Sequence, residues 1–140
     1  MFAGSLQLDF GDWEKAGRIA ITLGPVKWAS STVTVTIPAG YMSDGASVPQ
    51  LLWWFLPPWG DRATFAALLH DYLLDRLQGF ETGGAVAGAT DRVTCDGQFL
   101  EALLSLKVPA WRAYLVWTGV RAHSIRLSLF GGKDRPLVAR

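Results

Sequence analysis

The hydrophobic and polar positions alternate along the first part of the chain. Residues 18–23 (RIAITL) and 32–38 (TVTVTIP) alternate clearly and are rich in β-branched side chains, and residues 5–10 alternate roughly. Gly24-Pro25 predicts a turn between the run at 18–23 and the run at 32–38. Because short alternating runs joined by turns cannot be parallel, we predict a small antiparallel sheet over Phe2–Ile37.

After Pro38 the apolar residues change to a helical spacing. Ala63–Leu77 contains no Gly or Pro and follows Asp61, which is a suitable N-cap. Cys95–Leu106 repeats the pattern, and Pro109–Leu129 begins with Pro at a helix-entry position. Three helices are therefore predicted after the strands.

This order of elements predicts an α+β fold in which a small N-terminal antiparallel β-sheet is followed by a three-helix bundle. The strands are expected within about residues 2–38 and the helices within about 62–130. Gly131-Gly132 predicts the end of the last helix. A chain of 140 residues fits one domain, so we expect a single domain over 1–132 and a C-terminal extension over 133–140.

Composition excludes several classes of protein. Half of the residues are apolar and 18% are charged, which excludes general disorder. A formal net charge of +1 gives no electrostatic case for binding nucleic acid. The single cysteine, Cys95, excludes an internal disulfide framework. No stretch predicts a targeting signal or a transmembrane segment.

The chain has seven Trp residues, more than a core of this size requires. Trp53, Trp54 and Trp59 cluster in the Pro-containing segment 51–59, and Trp28 lies on a predicted strand. These side chains are expected to line a functional site or to form a partner-contact surface. The alternative is that they cap the helical core.

His70 and Asp71 are adjacent polar residues in the middle of the first predicted helix, among Leu and Ala residues. Adjacent helical side chains point about 100° apart, so one can face a reaction centre while the other holds a cation beside it. A buried Asp among Leu residues is costly unless it is paired or bound to a metal. The alternative is a structural His-Asp dipeptide, which is common on helices.

Asp96 lies at the start of the second predicted helix. If the first two helices pack antiparallel, its carboxylate reaches the ring of His70, and a carboxylate that orients a His is the usual support of a general base. The alternative for Asp96 alone is the N-cap or first-turn acid of its helix.

The loop Tyr41–Pro49 follows the last predicted strand and contains Asp44, Gly45 and Ser47. Asp44, the loop carbonyls and Asp71 would make an all-oxygen metal site, with Gly45 and Ser47 supporting the loop, and such ligands suit calcium or magnesium. No ligand spacing for zinc is present. The alternative for Asp44-Gly45 is a simple turn.

Three ordered motifs carry a resemblance to a known family: Ile37–Pro49, Ala67–Leu73 and Arg92–Phe99. Together they resemble an uncharacterised family of tailed-phage and prophage proteins, domain of unknown function 1353, over roughly Trp28–Gly131. That family's pattern usually has an aromatic residue where Leu74 stands here. The resemblance implies a phage origin and, because such proteins are encoded near tail and lysis genes, a role at the virion or the host envelope.

The same order of motifs also resembles bacterial secreted phospholipases of the A-two type. That resemblance implies His70 as the base that activates water, Asp96 as its partner, and Asp71 with the Asp44 loop as calcium ligands. Two departures are plain: Ala46 stands where those enzymes have a cysteine, and the insertion Gly79–Thr90 is foreign to them.

Two functions remain open on the sequence. The first is a virion tail or tail-tip component that carries a His-Asp-centred, metal-assisted hydrolase-like site, with other tail proteins or a second copy as partners. The second is a calcium-dependent hydrolase of lipid or cell-envelope ester or amide bonds that is no part of a virion. The expected location is the phage tail, or the host cytoplasm during assembly.

Overall fold

The computed structural model describes residues 1–4, 8–10, 20–43 and 63–130. Strands precede helices in the described chain, which confirms the predicted α+β fold. The strands are β1 (Phe2–Gly4), β2 (Leu8–Phe10), β3 (Ala20–Thr22), β4 (Val26–Ala29), β5 (Thr34–Ile37) and β6 (Met42–Ser43). The helices are α1 (Ala63–Gln78), α2 (Arg92–Ser105) and α3 (Ala110–Phe130).

The strands form two three-stranded sheets with the orders β1-β4-β5 and β2-β3-β6, and every pairing is antiparallel. Strand β4 lies between the alternating runs at 18–23 and 32–38 and contains Trp28, which the sequence placed on a strand. Its inward side chains are Val26 and Trp28, and in its register Val26 lies opposite Ile37. Strand β6 lies beyond Pro38, where the strands were expected to end.

Thr22 connects the last strand to the rest of the fold. Its amide donates to the Tyr41 carbonyl at 3.0 Å, and the Tyr41 amide donates to the Thr22 hydroxyl at 2.9 Å. The same hydroxyl donates to the Pro38 carbonyl at 2.7 Å. These bonds hold β6 beside β3, and β6 also packs against α1.

Helix α1 is buried on nearly all sides. Its leucines 68, 69 and 73 have no exposed surface, and its polar residues His70, Asp71 and Asp75 are also buried. A helix that is apolar all round belongs in the middle of a fold. Each of its buried polar groups therefore needs a partner on a neighbouring element.

Helix α2 begins three residues earlier than predicted. Its N-cap is Asp91, whose carboxylate accepts from the Thr94 amide at 2.8 Å while the Thr94 hydroxyl accepts from the Asp91 amide at 3.3 Å. This capping box satisfies two backbone donors that would otherwise have no partner. Asp96 is therefore neither the N-cap nor a first-turn acid, since it lies in the second turn and is buried.

Gln98 fixes the rotation of α2 against the β4–β5 hairpin. Its side-chain oxygen accepts from Trp28 Nε1 and from Ser30 Oγ, each at 2.8 Å, and its amide group donates to Thr32 Oγ1 at 3.1 Å. Trp28 has 1% of its surface exposed, so it is a core residue and forms no part of a contact surface.

Helix α3 packs against α2 through Ala113, Val116, Val120 and Ser124. Among the described helices, none is both long enough and apolar enough to cross a membrane.

Candidate functional site

His70 and Asp96 form a buried pair between α1 and α2. His70 Nε2 lies 2.6 Å from Asp96 Oδ1, and neither side chain has exposed surface. The ring of His70 also packs at a tilt against Phe99, with 5.1 Å between the ring centroids. The contact expected from helix packing is therefore present in the structure, and the role of the pair in chemistry stays a prediction.

Two side chains of α3 hold the second oxygen of Asp96. Arg121 Nη1 donates to Asp96 Oδ2 at 2.7 Å, and Ser124 Oγ donates to the same oxygen at 2.7 Å. Arg92 Nε in turn donates to Ser124 Oγ at 3.1 Å. The carboxylate thus has a partner on each oxygen, and the network joins all three helices.

These partners set the charge of Asp96. Burial alone raises the pKa of this carboxyl, but the hydrogen bond and charge of His70 act against it, as do the hydrogen bonds from Ser124 and Arg121. The net pKa of Asp96 lies below its ordinary value. Asp96 is therefore ionised at neutral pH, as a carboxylate that supports an imidazole must be.

The ionised state of Asp96 determines the direction of its hydrogen bond with His70. An ionised carboxylate can only accept, so Nε2 carries the proton shared with Asp96. Within this contact the imidazole is therefore the donor and the carboxylate the acceptor.

Asp71 points away from this pair, toward the sheet. Its Oδ2 accepts from Ser43 Oγ on β6. One turn later, Asp75 Oδ2 accepts from the Tyr41 hydroxyl at 2.5 Å. His70 and Asp71 therefore face different elements, as their angular separation on the helix predicts.

Several predicted site residues lie outside the described part of the chain: Asp44, Gly45, Ser47, Trp53, Trp54 and Trp59. The convergence of Asp44 with Asp71 on a metal ion therefore stays a prediction. Within the described ranges, no three or more His, Cys, Asp or Glu side chains come together in a group that could hold a metal.

The sequence did not single out Arg121 and Ser124 as site residues. One signal was available: Ser124 extends the row Ala113, Val116 and Val120 at helical spacing, so it is a polar residue on an apolar face. Arg121 had no such signal, because its partner becomes visible only when α3 packs against α2.

The arrangement combines a fixed, ionised carboxylate with an imidazole held by packing. Such a pair can accept a proton and stabilise the imidazolium that results. Cys95, next to Asp96, offers no competing nucleophile, because burial raises the pKa of its thiol to about 12. The described residues thus contain an imidazole and an ionised carboxylate in direct contact, which is the arrangement that a general base requires.

Comparison with curated proteins gives no match, and comparison with solved structures gives none either. One family model, described as "Protein of unknown function (DUF1353)", matches residues 23–120. The matched range contains His70, Asp71 and Asp96 and ends before Arg121 and Ser124. Since the match covers well over half of the chain, the protein belongs to the DUF1353 family.

Proposed function

We propose that this protein hydrolyses ester or amide bonds in lipid or cell-envelope material, with His70 as the general base. The observation that carries the proposal is the 2.6 Å contact between His70 Nε2 and an Asp96 carboxylate that Arg121 and Ser124 also hold. A purely structural histidine needs one hydrogen-bonding partner, whereas this one is backed by a charged network across three helices.

In the proposed reaction, the imidazole of His70 takes a proton from a water molecule, and the water oxygen attacks the carbonyl carbon of the substrate. Asp96 stabilises the imidazolium, which then returns the proton to the leaving alcohol or amine. Phe99 and the helix backbone keep the ring in one orientation, so little entropy is lost when the substrate arrives.

Calcium is proposed as the electrophile. When bound, the ion would stabilise the negative charge on the substrate oxygen, and Asp71 with Asp44 would hold it. The donor chemistry of Asp71 fits a calcium ion, because carboxylate oxygens are the ligands that calcium takes in proteins.

The test is hydrolysis by the purified chain, with calcium or with a chelator, on phospholipid vesicles, peptidoglycan and simple aryl esters. His70→Gln keeps a donor for Asp96 but removes the base, so kcat/KM should fall about 10²–10⁴-fold. The matched control is His123→Gln, because His123 is the only other histidine in the sequence and lies on α3, whereas His70 and Asp96 lie on α1 and α2. The control should retain wild-type activity.

Two outcomes would overturn the hydrolase. One is a folded wild type that cleaves none of these substrates with or without calcium, and the other is full activity in His70→Gln. If His70→Gln does not fold, the variant Ser124→Ala tests the role of the network instead. It removes one hydrogen-bond donor to Asp96 and keeps the ion pair between Arg121 and Asp96. We expect this variant to lower kcat with KM unchanged, and an unchanged kcat would contradict the role of the network.

A second candidate function is a component of a phage tail or tail tip, which places the same site in a virion. It is supported by the apolar outer face of α3, where Trp111 and Leu129 are 64% and 73% exposed, more than a domain without a partner requires. We expect mass spectrometry of purified particles to find the chain in a fixed ratio to the tail proteins. Particles that lack the chain would rule this role out.

A further inference from the structure

Helix α3 carries a second row of residues on its outer side. The row repeats at intervals of four and three residues and runs the length of the helix: Trp111, Leu115, Thr118, Ala122, Ile125 and Leu129. Every member is exposed, and the four large ones are between 41% and 73% exposed. A regular apolar row in this position is the pattern of a helix that contacts something on its outer side.

Among the residues that the structure describes, the core of the fold does not include this row. The buried row of α3, which includes Val116 and Val120, faces α2. At about 100° per residue the two rows lie on opposite sides of the helix. The core formed by residues 20–43 and 63–130 therefore excludes the outer row, whose large side chains are exposed.

The charged residues beside the outer row of α3 indicate which kind of partner this face would bind. No Asp or Glu stands between Glu101 and Asp134, so α3 contains no acidic residue. Arg112 and Arg126 flank the outer row, and Arg126 is exposed. Arg121 also lies on α3 but is engaged with Asp96.

A second copy of this chain fits the face poorly. Pairing two α3 helices along this row would place arginines opposite arginines, with no carboxylate on either helix to balance them. An anionic surface complements the same charges. The exposed aromatic residues Trp111 and Tyr114 add side chains that are favoured where apolar and polar phases meet.

We propose that the outer face of α3 is a docking surface for an anionic lipid bilayer. The helix lies along the bilayer surface, with its outer row in the boundary between head groups and acyl chains and its arginines on the phosphates. This inference does not rest on the proposed hydrolase, since it uses none of the residues of the His70 network.

The test is flotation of the full chain with vesicles of phosphatidylcholine alone or mixed with phosphatidylglycerol. We expect the chain to float with the mixed vesicles, and less so at high salt or without the anionic lipid. Leu115→Gln and Ile125→Gln should each weaken binding about tenfold, and Arg126→Gln about fivefold. Val93→Gln and Lys27→Gln are the matched controls, because both residues are exposed outside α3.

His70→Gln should float like the wild type, so a failed hydrolase and a failed docking surface can be told apart. The proposal is overturned if the chain binds neither kind of vesicle at low salt, or if the control variants weaken binding as much as the α3 variants. It is equally overturned if analytical ultracentrifugation detects a dimer that Leu115→Gln dissolves, or if Leu115→Gln removes the chain from purified phage particles, because the face would then bind a second copy or a tail protein.

Discussion

Asp96 accepts hydrogen bonds from three side chains on two other helices. Removing one partner from a buried ion pair leaves a charge without compensation, which costs about 3–5 kcal/mol. The residue therefore contributes to stability as well as to the proposed chemistry. Any change at Asp96 must be assessed by folding and by activity together.

Asp96→Asn should lower the free energy of unfolding by about 3–5 kcal/mol at neutral pH. The pKa of Asp96 is lowered in the folded chain, so the unfolded state binds the proton more readily. The contribution is therefore present above the ordinary Asp pKa of about 3.9 and is lost as pH falls through the lower folded value. The measurement is urea unfolding as a function of pH.

We expect the gap between wild type and Asp96→Asn to narrow below about pH 4. The control is Glu101→Gln, which changes an exposed carboxylate on the same helix. A gap that stays constant into acid would mean that the charge of Asp96 does not stabilise the fold.

The connection between α1 and α2 is an ordered element that joins two parts of the fold. Arg76 of α1 donates to the Gly84 and Gly83 carbonyls at 2.7 and 3.2 Å, and Val86 within the connection is buried. Gly88 lies so close to the β4–β5 hairpin that a Cβ there would be 2.3 Å from the Thr32 carbonyl oxygen. The segment Gly79–Thr90 thus takes part in packing.

Gly88→Ala should destabilise the protein more than Gly84→Ala. Both glycines have a positive φ, +86° and +72°, so both variants carry the left-handed cost of about 1–2 kcal/mol. Only at Gly88 would the added methyl group clash with backbone, that of Thr32, and this clash adds an overpacking cost of about 1–3 kcal/mol. Equilibrium urea denaturation of the two variants gives the difference directly, and equal losses would show that the hairpin moves aside freely.

Across the whole molecule, acidic and basic residues are unevenly distributed along the chain, although the net charge is close to zero. The formal net charge is +1, yet the interval from Glu101 to Asp134 contains no acidic residue between its ends. The same helix, α3, supplies Arg121 and Ser124 to the buried network and presents its outer row to solvent. One helix therefore links the proposed site to the proposed docking surface, and a single-domain arrangement over 1–132 stays a prediction.

The pattern of apolar residues was sufficient to predict the order of strands and helices, because burial forces a period of two on strands and of about 3.6 on helices. Helix α1 illustrates this: it was predicted over Ala63–Leu77 and is observed over Ala63–Gln78. Its buried polar residues also marked His70 and Asp71, since polar side chains among leucines need partners. What the sequence determined was therefore local periodicity and the presence of unusual polar groups within it.

Only the tertiary structure determined which strands pair and which side chains contact each other. The division of the strands into two sheets depends on pairing between distant segments, which local alternation does not encode. The contact of Arg121 and Ser124 with Asp96 depends on how α3 packs on α2. Helical periodicity shows which residues share a face of a helix, but it does not show which element packs against that face. The outer row of α3 was indistinguishable from a core face until the structure showed which of its two apolar sides the fold had buried.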